Sequence, residues 1–390
     1  MFFKRHMSNL RISLSTMDYY IFVPYILLSF IGIIMVYSSS SNIATQNGGS
    51  PTGYLIKQGM YVIVSLILIL FCLMGNNKIV RNPKFLGIFL CLLFLSLIYL
   101  KFFGHSINGA AGWIDLGPVH IQPAEVVKIY IILRFASFIT KKEPYLENHW
   151  WSIMRGQVIT TMVLLLLVVI QPDLGGTIIC FTILFILLLS SGINWRGASL
   201  LLSLSFVLSY IIVRILAFIF RNGTDNYQLQ RIITFTNPFK FTQGSGAQLV
   251  NSYYALSNGG IFGVGLGNSI QKTGYLPEPN TDFIMSIISE ELGLVGVLFI
   301  LFLLLVIIVR CFQLGIRSHN TYDSLICYGL ASYLTVQAFV NVGGVTGMLP
   351  ITGVTFPFIS YGGSSMVTLA LCIGMVLVIS SKQKKTRPNL

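Results

Sequence analysis

Runs of apolar residues, broken at intervals by short polar clusters, set the plan of this chain. A membrane-crossing helix needs about 20 mostly apolar residues. Segments near that length recur at 19–39, 55–74, 85–103, 123–140, 157–171, 174–192, 198–220, 283–309, 323–342 and 362–381. Ten spans and their loops take up most of the 390 residues, which predicts an all-α polytopic membrane protein with a single membrane domain, 1–390. Residues 1–18 and 382–390 are polar, basic tails. The apolar run after the first tail is too long for a cleaved signal peptide and reads as a retained span. No internal repeat and no inverted pair of halves is visible, which disfavours the common secondary-transporter plans.

Composition agrees. Charged residues make up 9% of the chain and hydrophobic ones 54%, which excludes an ordinary soluble domain. The net charge of +13 suggests nucleic acid or acidic lipid until its distribution is read. Lys4, Arg5 and Arg11, then Lys78, Arg81 and Lys84, then Lys141, Lys142 and Arg155, then Arg196, Arg310 and Arg317, and the C-terminal Lys382, Lys384, Lys385 and Arg387 fall on one side of the alternating spans. Arg221, Arg231, Lys240 and Lys272 fall on the other. By the positive-inside rule both termini are cytoplasmic, and the charge is a topology signal with no nucleic-acid partner implied. The six cysteines lie in apolar runs without a Cys-x-x-Cys pair and read as buried small hydrophobes.

The outer loops carry the acids. Loop 40–54 is short and uncharged; 104–122 is glycine-rich, holds Trp113 and Asp115, and is expected to fold back into the interface. Gln171-Pro-Asp173 is a tight corner. The loop at 221–282 is the longest, and a loop of that length in a compact protein is usually functional. Its glycines, Gly259, Gly260, Gly263, Gly265 and Gly267, read as a flexible stretch. They form no Walker loop, because no Gly-Lys-Ser/Thr follows, so no nucleotide is expected. Loop 343–361 is rich in glycine and proline; Gly343-Gly344 and Tyr361-Gly-Gly-Ser-Ser365 allow close backbone approach, for packing or for a ligand.

Asp282 stands out among the ionisable groups, in Tyr275-Leu-Pro-Glu-Pro-Asn-Thr-Asp282 at the start of the eighth span. Two compatible roles fit it: a general base on the outer face, deprotonating a sugar hydroxyl, and a helix cap shared with Thr281. A helix N-terminus favours the carboxylate form. Glu290 and Glu291 lie two turns on and are expected to pair with a span cation. Glu125 and Lys128 are three apart on one helix face and can neutralise each other; the sharper alternative has Lys128 meeting a substrate phosphate. Asp173 can cap the sixth span or contact a ligand. Arg231, Lys240 and Lys272 are credible partners for a pyrophosphate, with acidic lipid headgroups as the alternative. The five histidines lack ligand spacing, so no zinc site is expected.

Five segments, in order, resemble the SEDS family of polytopic lipid II polymerases: Gly112-Trp-Ile-Asp-Leu-Gly117, Gln122-Pro-Ala-Glu-Val-Val-Lys128, Gln171-Pro-Asp-Leu-Gly175, Gly274 through Gly293, and Leu349 through Ser365. Residues 258–278 resemble the family's division branch, FtsW, more than its elongation branch, RodA. Lys57-Gln58 stands where the family often has Arg-Gln, which keeps the charge and loses bidentate geometry; Gly246-Ala-Gln248 also departs from the usual Gly-Tyr-Gln. The resemblance implies a peptidoglycan glycosyltransferase in the bacterial cytoplasmic membrane, at the division septum if the division branch holds. The implied catalytic residue is Asp282. The implied substrate-binding residues are Lys272, Arg231, Glu278, Lys128, Glu125, Asp173, Lys57 and Ser364. The donor would be an undecaprenyl-pyrophosphate-linked glycan and the acceptor lipid II, joined by an inverting β-1,4 transfer. A divalent cation (Mg or Mn), a class B penicillin-binding protein transpeptidase and divisome proteins are implied partners. A lipid II flippase, a non-catalytic scaffold and an elongation-specific polymerase remain alternatives on the sequence; Lys57, Lys101, Lys128, Arg134 and Arg214 inside spans are what a flippase would use.

Overall fold

A computed structural model describes residues 16–386, apart from 47, 76–78, 108–109, 116, 118–119, 243–245 and most of 192–226. The span expected at 198–220 lies for the most part outside the described residues. The described helices are α1 (Tyr19–Gln46), α2 (Gly53–Met74), α3 (Pro83–Phe103), α4 (Pro123–Ile170), α5 (Leu174–Leu189), α6 (Tyr227–Thr236), α7 (Ala247–Gly259), α8 (Ile284–Ile316), α9 (Thr321–Val345) and α10 (Gly363–Thr386). Among the described residues, seven helices are long and apolar enough to cross a membrane. The remaining described spans are the shorter α5 and the first arm of α4, which carries Glu125, Lys128 and Arg134.

Local chemistry sets the helix starts. Asn82 accepts from the Lys84 N–H ahead of α3, Asp173 from the Gly176 N–H ahead of α5, and Asn320 from the Tyr322 N–H ahead of α9, each satisfying a donor that the first turn leaves without a helical partner. The expected loop between spans at 141–156 is helical instead. α4 runs on past Lys141 and Lys142 and breaks at His149, whose φ and ψ are −135° and 36°. Lys, Glu, Leu and Arg in that stretch are good helix formers, so the turn shrinks to one residue.

Loop 104–122 does fold back, as a three-stranded antiparallel sheet: β1 (His105–Ile107), β2 (Ala110–Asp115) and β3 (His120–Ile121), with Asp115 opposite His120. This sheet is the one addition to the all-α expectation among the described residues.

The glycine stretch after α7 is a rigid interlock and not a flexible tether. α8 is broken at Gly293 (φ 69°), which frees backbone groups that the stretch satisfies. Val264 and Gly265 donate to the Glu290 and Glu291 carbonyls at 2.9 and 3.0 Å, and Leu294 and Val295 donate to the Gly260 and Ile261 carbonyls at 3.0 and 3.2 Å. A Cβ on Gly293 would lie 2.3 Å from the Ile261 carbonyl oxygen, so the break admits only glycine.

Both described ends of the chain meet at one end of the bundle: Lys384 Nζ donates to the Met17 carbonyl at 2.9 Å, and the Thr16 and Ser381 hydroxyls are 2.6 Å apart. The buried Asp18 ties the same end together, accepting from Arg310 Nε at 2.8 Å and Ser380 Oγ at 3.0 Å.

Candidate active site

At the opposite end of the bundle, the starts of α4, α5, α8 and α10 surround a cavity of about 450 Å³. Asp282 and Glu278, from one segment, line it together with Arg231, Asp173 and Ser364 from distant parts of the chain.

Asp282 sits in the turn before α8 and does not cap it; Phe283 occupies the cap position, without a side-chain hydrogen bond. The turn is held from behind by its own backbone. Asn341 Nδ2 donates to the Asp282 carbonyl at 2.8 Å and to the Val354 carbonyl at 2.7 Å. Ser360 Oγ donates to the Thr281 carbonyl at 2.7 Å, and the Tyr361 N–H to the Asn280 carbonyl at 2.8 Å. Main-chain anchoring leaves the carboxylate to the cavity.

Arg231, on α6, donates Nη1 to the Ile351 carbonyl at 3.2 Å. Its position relative to Asp282 is marked by Gly353: a Cβ there would lie 3.3 Å from Asp282 Oδ2 and 3.4 Å from Arg231 Nη1. Gly353 also has φ 76°. Gly353→Ala therefore strains the backbone by roughly 1–3 kcal/mol and crowds both charged groups. The expected result is a folded protein with depressed activity, checked by thermal melting beside the polymer assay given below.

Removal from water pushes the Asp282 carboxyl up to about 6; the Arg231 charge opposes this, and Glu278 and Asp173 add to it. A carboxylate poised there is ionised at neutral pH and still basic enough to take a proton. Asp173 is also raised, chiefly by burial, against its bond from Gly176 and the Lys128 charge. Its second oxygen accepts from Gln122 Nε2 at 3.2 Å, and Ser364 Oγ accepts from the Gln122 N–H at 3.0 Å while donating to the His120 carbonyl at 2.7 Å. Those bonds pin the small sheet against α10.

The other expected site residues lie elsewhere. Glu125 and Lys128 form a buried pair at 2.6 Å, with Tyr333 Oη donating to Glu125 at 2.7 Å; Lys128 acts on the cavity through its charge on Asp173. Lys272 is 3% exposed and pairs with the fully buried Glu291 at 2.7 Å, both bonded to Ser38. Glu291 thus meets a loop lysine where a span cation was expected. Glu290 accepts from Asn258 at 3.2 Å, the Ser269 hydroxyl and two backbone N–H groups. Lys57 is exposed near the start of α2. Tyr61, His120, Gly353 and Tyr361 also line the cavity; the last two fall in the 349–365 segment singled out in the sequence, whereas nothing in the spacing of Tyr61 and His120 marks them. Among the described residues no three His, Cys, Asp or Glu side chains are grouped to hold a metal ion.

The architecture is that of a multi-pass membrane protein whose carboxylate-and-guanidinium cavity lies away from the end where Met17 meets Lys384. Residues 18–385 match the family model FTSW_RODA_SPOVE, described as "Cell cycle protein", and the chain belongs to that family. It is 40% identical over 395 residues to "Probable peptidoglycan glycosyltransferase FtsW" of Lactococcus lactis, covering 95% of this chain and 93% of that one. To the protein of the same name from Bacillus subtilis it is 37% identical over 384 residues, covering 97% and 95%. Among solved structures, a chain from "Structural coordination of polymerization and crosslinking by a peptidoglycan synthase complex" superposes with a TM-score of 0.74 at 25% identity, over 94% of this chain and 98% of that one. Rod shape determining protein RodA of Thermus thermophilus shares the fold at a TM-score of 0.66 and 23% identity, over 93% and 96%.

Proposed function

We propose that this chain is a peptidoglycan glycosyltransferase that polymerises lipid II at the outer face of the bacterial membrane, during septal wall synthesis. The observation that carries the reading is Asp282: a carboxylate poised near neutrality, with a guanidinium beside it, in the cavity away from the end where Met17 meets Lys384. Full-length similarity to proteins named peptidoglycan glycosyltransferase FtsW supports the activity and the septal role.

In the proposed reaction Asp282 accepts the proton of the acceptor's sugar 4-hydroxyl. That oxygen forms the new bond to the donor's anomeric carbon, and the bond from the same carbon to the pyrophosphate oxygen breaks. Arg231 faces the negative charge that grows on the leaving group, and fixed donors aimed at developing charge are a large source of rate enhancement. Asp173, Glu278 and Ser364 would place the sugars. The cation expected from the resemblance would be held mainly by substrate phosphates, with Glu278 as the side chain best suited to complete its oxygen shell; its chemistry would be charge neutralisation on the pyrophosphate. The similarity to a chain of a peptidoglycan synthase complex supports a class B penicillin-binding protein partner. A flippase needs a charged path through the bilayer. Of the span charges named above, Lys128 and Arg134 are engaged locally, by Glu125 and by Gln157 at 2.7 Å, while Lys57 and Lys101 are exposed on α2 and α3.

The test is polymer synthesis from lipid II by the purified chain with its transpeptidase partner. Glycan strands are expected; transport of labelled lipid II across liposomes, with no strands formed, would overturn the reading.

A further inference from the structure

The buried polar clusters shared by α1 and α8 mark two levels across the molecule. At the cytoplasmic end Asp18 pairs with Arg310; toward the outer end Ser38, Glu291 and Lys272 meet. Ser38 stands 20 positions after Asp18, and Glu291 stands 19 positions before Arg310. At 1.5 Å per helical residue both separations are about 30 Å, the thickness of a bilayer's hydrocarbon core. The outer edge of that core therefore crosses α8 near Glu291. The interlocked glycine stretch lies at this level, because its backbone bonds join 260–265 to 290–295. Glu290 clamps its two arms, accepting from Asn258 on one side and from Ser269, Ile270 and Gln271 on the other. What the clamp turns outward is apolar: Ile261, Phe262, Val264, Leu266 and Ile270 are exposed, Phe262 by 81%. No charged residue occurs between Lys240 and Lys272. On α8 the exposed Leu294, Val295 and Leu298 continue the same surface inward.

We propose that residues 260–270 form an interfacial anchor, a finger whose apolar tip lies among the lipids of the outer leaflet, where acyl chains meet headgroups. An exposed apolar patch of this kind marks a protein or a membrane contact. Lipid is the occupant here because the patch sits at the level of the acyl boundary and is continuous with the exposed apolar flank of α8. Irregular backbone is tolerated at that depth only where the protein satisfies its polar groups, and the break at Gly293 supplies those partners. With no charge of its own the finger selects no headgroup, so anionic and zwitterionic lipid should hold it alike. The first residue of α8 then stands about 10 Å above the acyl boundary, with Asp282 in the turn just beyond. That places the cavity at the outer margin of the headgroup layer, the height at which the pyrophosphate of a lipid-linked sugar would meet it. This last consequence rests on the polymerase reading, whereas the place of the finger rests on geometry.

The experiment attaches the fluorophore NBD to Phe262→Cys in the full chain, with the exposed Cys91 changed to Ala and the labelled Cys91→Ala parent as background. Phe302→Cys, exposed on α8 about 16 Å further in, is the comparison. Each is reconstituted in phosphatidylcholine vesicles, with and without phosphatidylglycerol, carrying a nitroxide either high or low on the acyl chain. At position 262 the shallow nitroxide should quench several-fold more than the deep one in both lipid mixtures, with little quenching by aqueous iodide. At position 302 the deep nitroxide should win. Strong iodide quenching at 262 would put the finger in water, and stronger quenching by the deep nitroxide would put it below the boundary. Quenching by none of the three would mean that protein covers it. Any of these overturns the anchor. Should Phe262→Cys fail a thermal-melt check, Leu266→Cys takes its place. The polymerase reading is scored separately, by strand synthesis: its failure leaves the quenching pattern standing, and a finger found in water leaves the Asp282 assignment standing.

Discussion

Asp282→Asn is expected to lose about 10²–10⁴-fold in polymerisation rate, the usual contribution of a general base, while the protein becomes more stable at pH 7.5. The two effects share one cause. The Asp282 carboxyl is raised from 3.8 to about 6, mainly by burial, so the folded state holds this proton more tightly than the unfolded chain does. Stability from that proton is fully present below about pH 4, and it is lost as pH rises through 6. Wild type therefore gives up stability across that window to keep an ionised base, and an asparagine of the same shape does not. The stability advantage of Asp282→Asn should shrink to nothing by about pH 4, read by thermal melting in detergent at several pH values. Wild-type activity should run the opposite way, falling on the acid side with a midpoint near pH 6. An acid limb unchanged by any Asp282 substitution would remove this residue from the proton transfer.

Lys272→Met is expected to be the most damaging single change outside the cavity. It leaves Glu291, whose side chain has no exposed surface, without its cation, and breaking a buried pair costs roughly 3–5 kcal/mol. The double variant Lys272→Met/Glu291→Gln removes the charge on both sides and should recover most of the stability and, with it, the activity. Had Lys272 served as a pyrophosphate contact, the double variant would fold and stay inactive. Comparing melting temperature with strand synthesis across the single and double variants separates the two roles. The arrangement favours the first, because Lys272, Glu291 and Ser38 fasten the end of the long outer loop to α8 and α1, next to the interlock at Gly293.

The lysine case shows where reading the chain alone falls short. A basic residue in a polar outer loop looks available to an anionic ligand, and Lys272 matched that description. Its contacts are with Ser38, 234 positions earlier in sequence, and Glu291; no pattern of spacing records a meeting of that kind. The same limit applies to Glu125 and Lys128. Their mutual pairing was legible because helix geometry puts positions three apart side by side, but their depth beneath Asp173 was not.

What the sequence determined by itself is what local physics dictates. Apolar run length predicts the spans, because a backbone in lipid must bond within its own helix. Lysine and arginine asymmetry predicts which way the chain faces, and Asp173 after a proline marks a helix start, whereas the cap expected at Thr281 or Asp282 falls instead to Phe283. Asp282 was visible as an acid at the mouth of a span. Only the tertiary structure decided what surrounds it: that the turn is clamped by Asn341 and Ser360 through its backbone, that Arg231 arrives from a separate helix, and that Gly353 must lack a side chain beside both. Those outcomes depend on packing among segments scores of residues apart, where the free energy of removing a charge from water is set by neighbours the chain brings together only on folding.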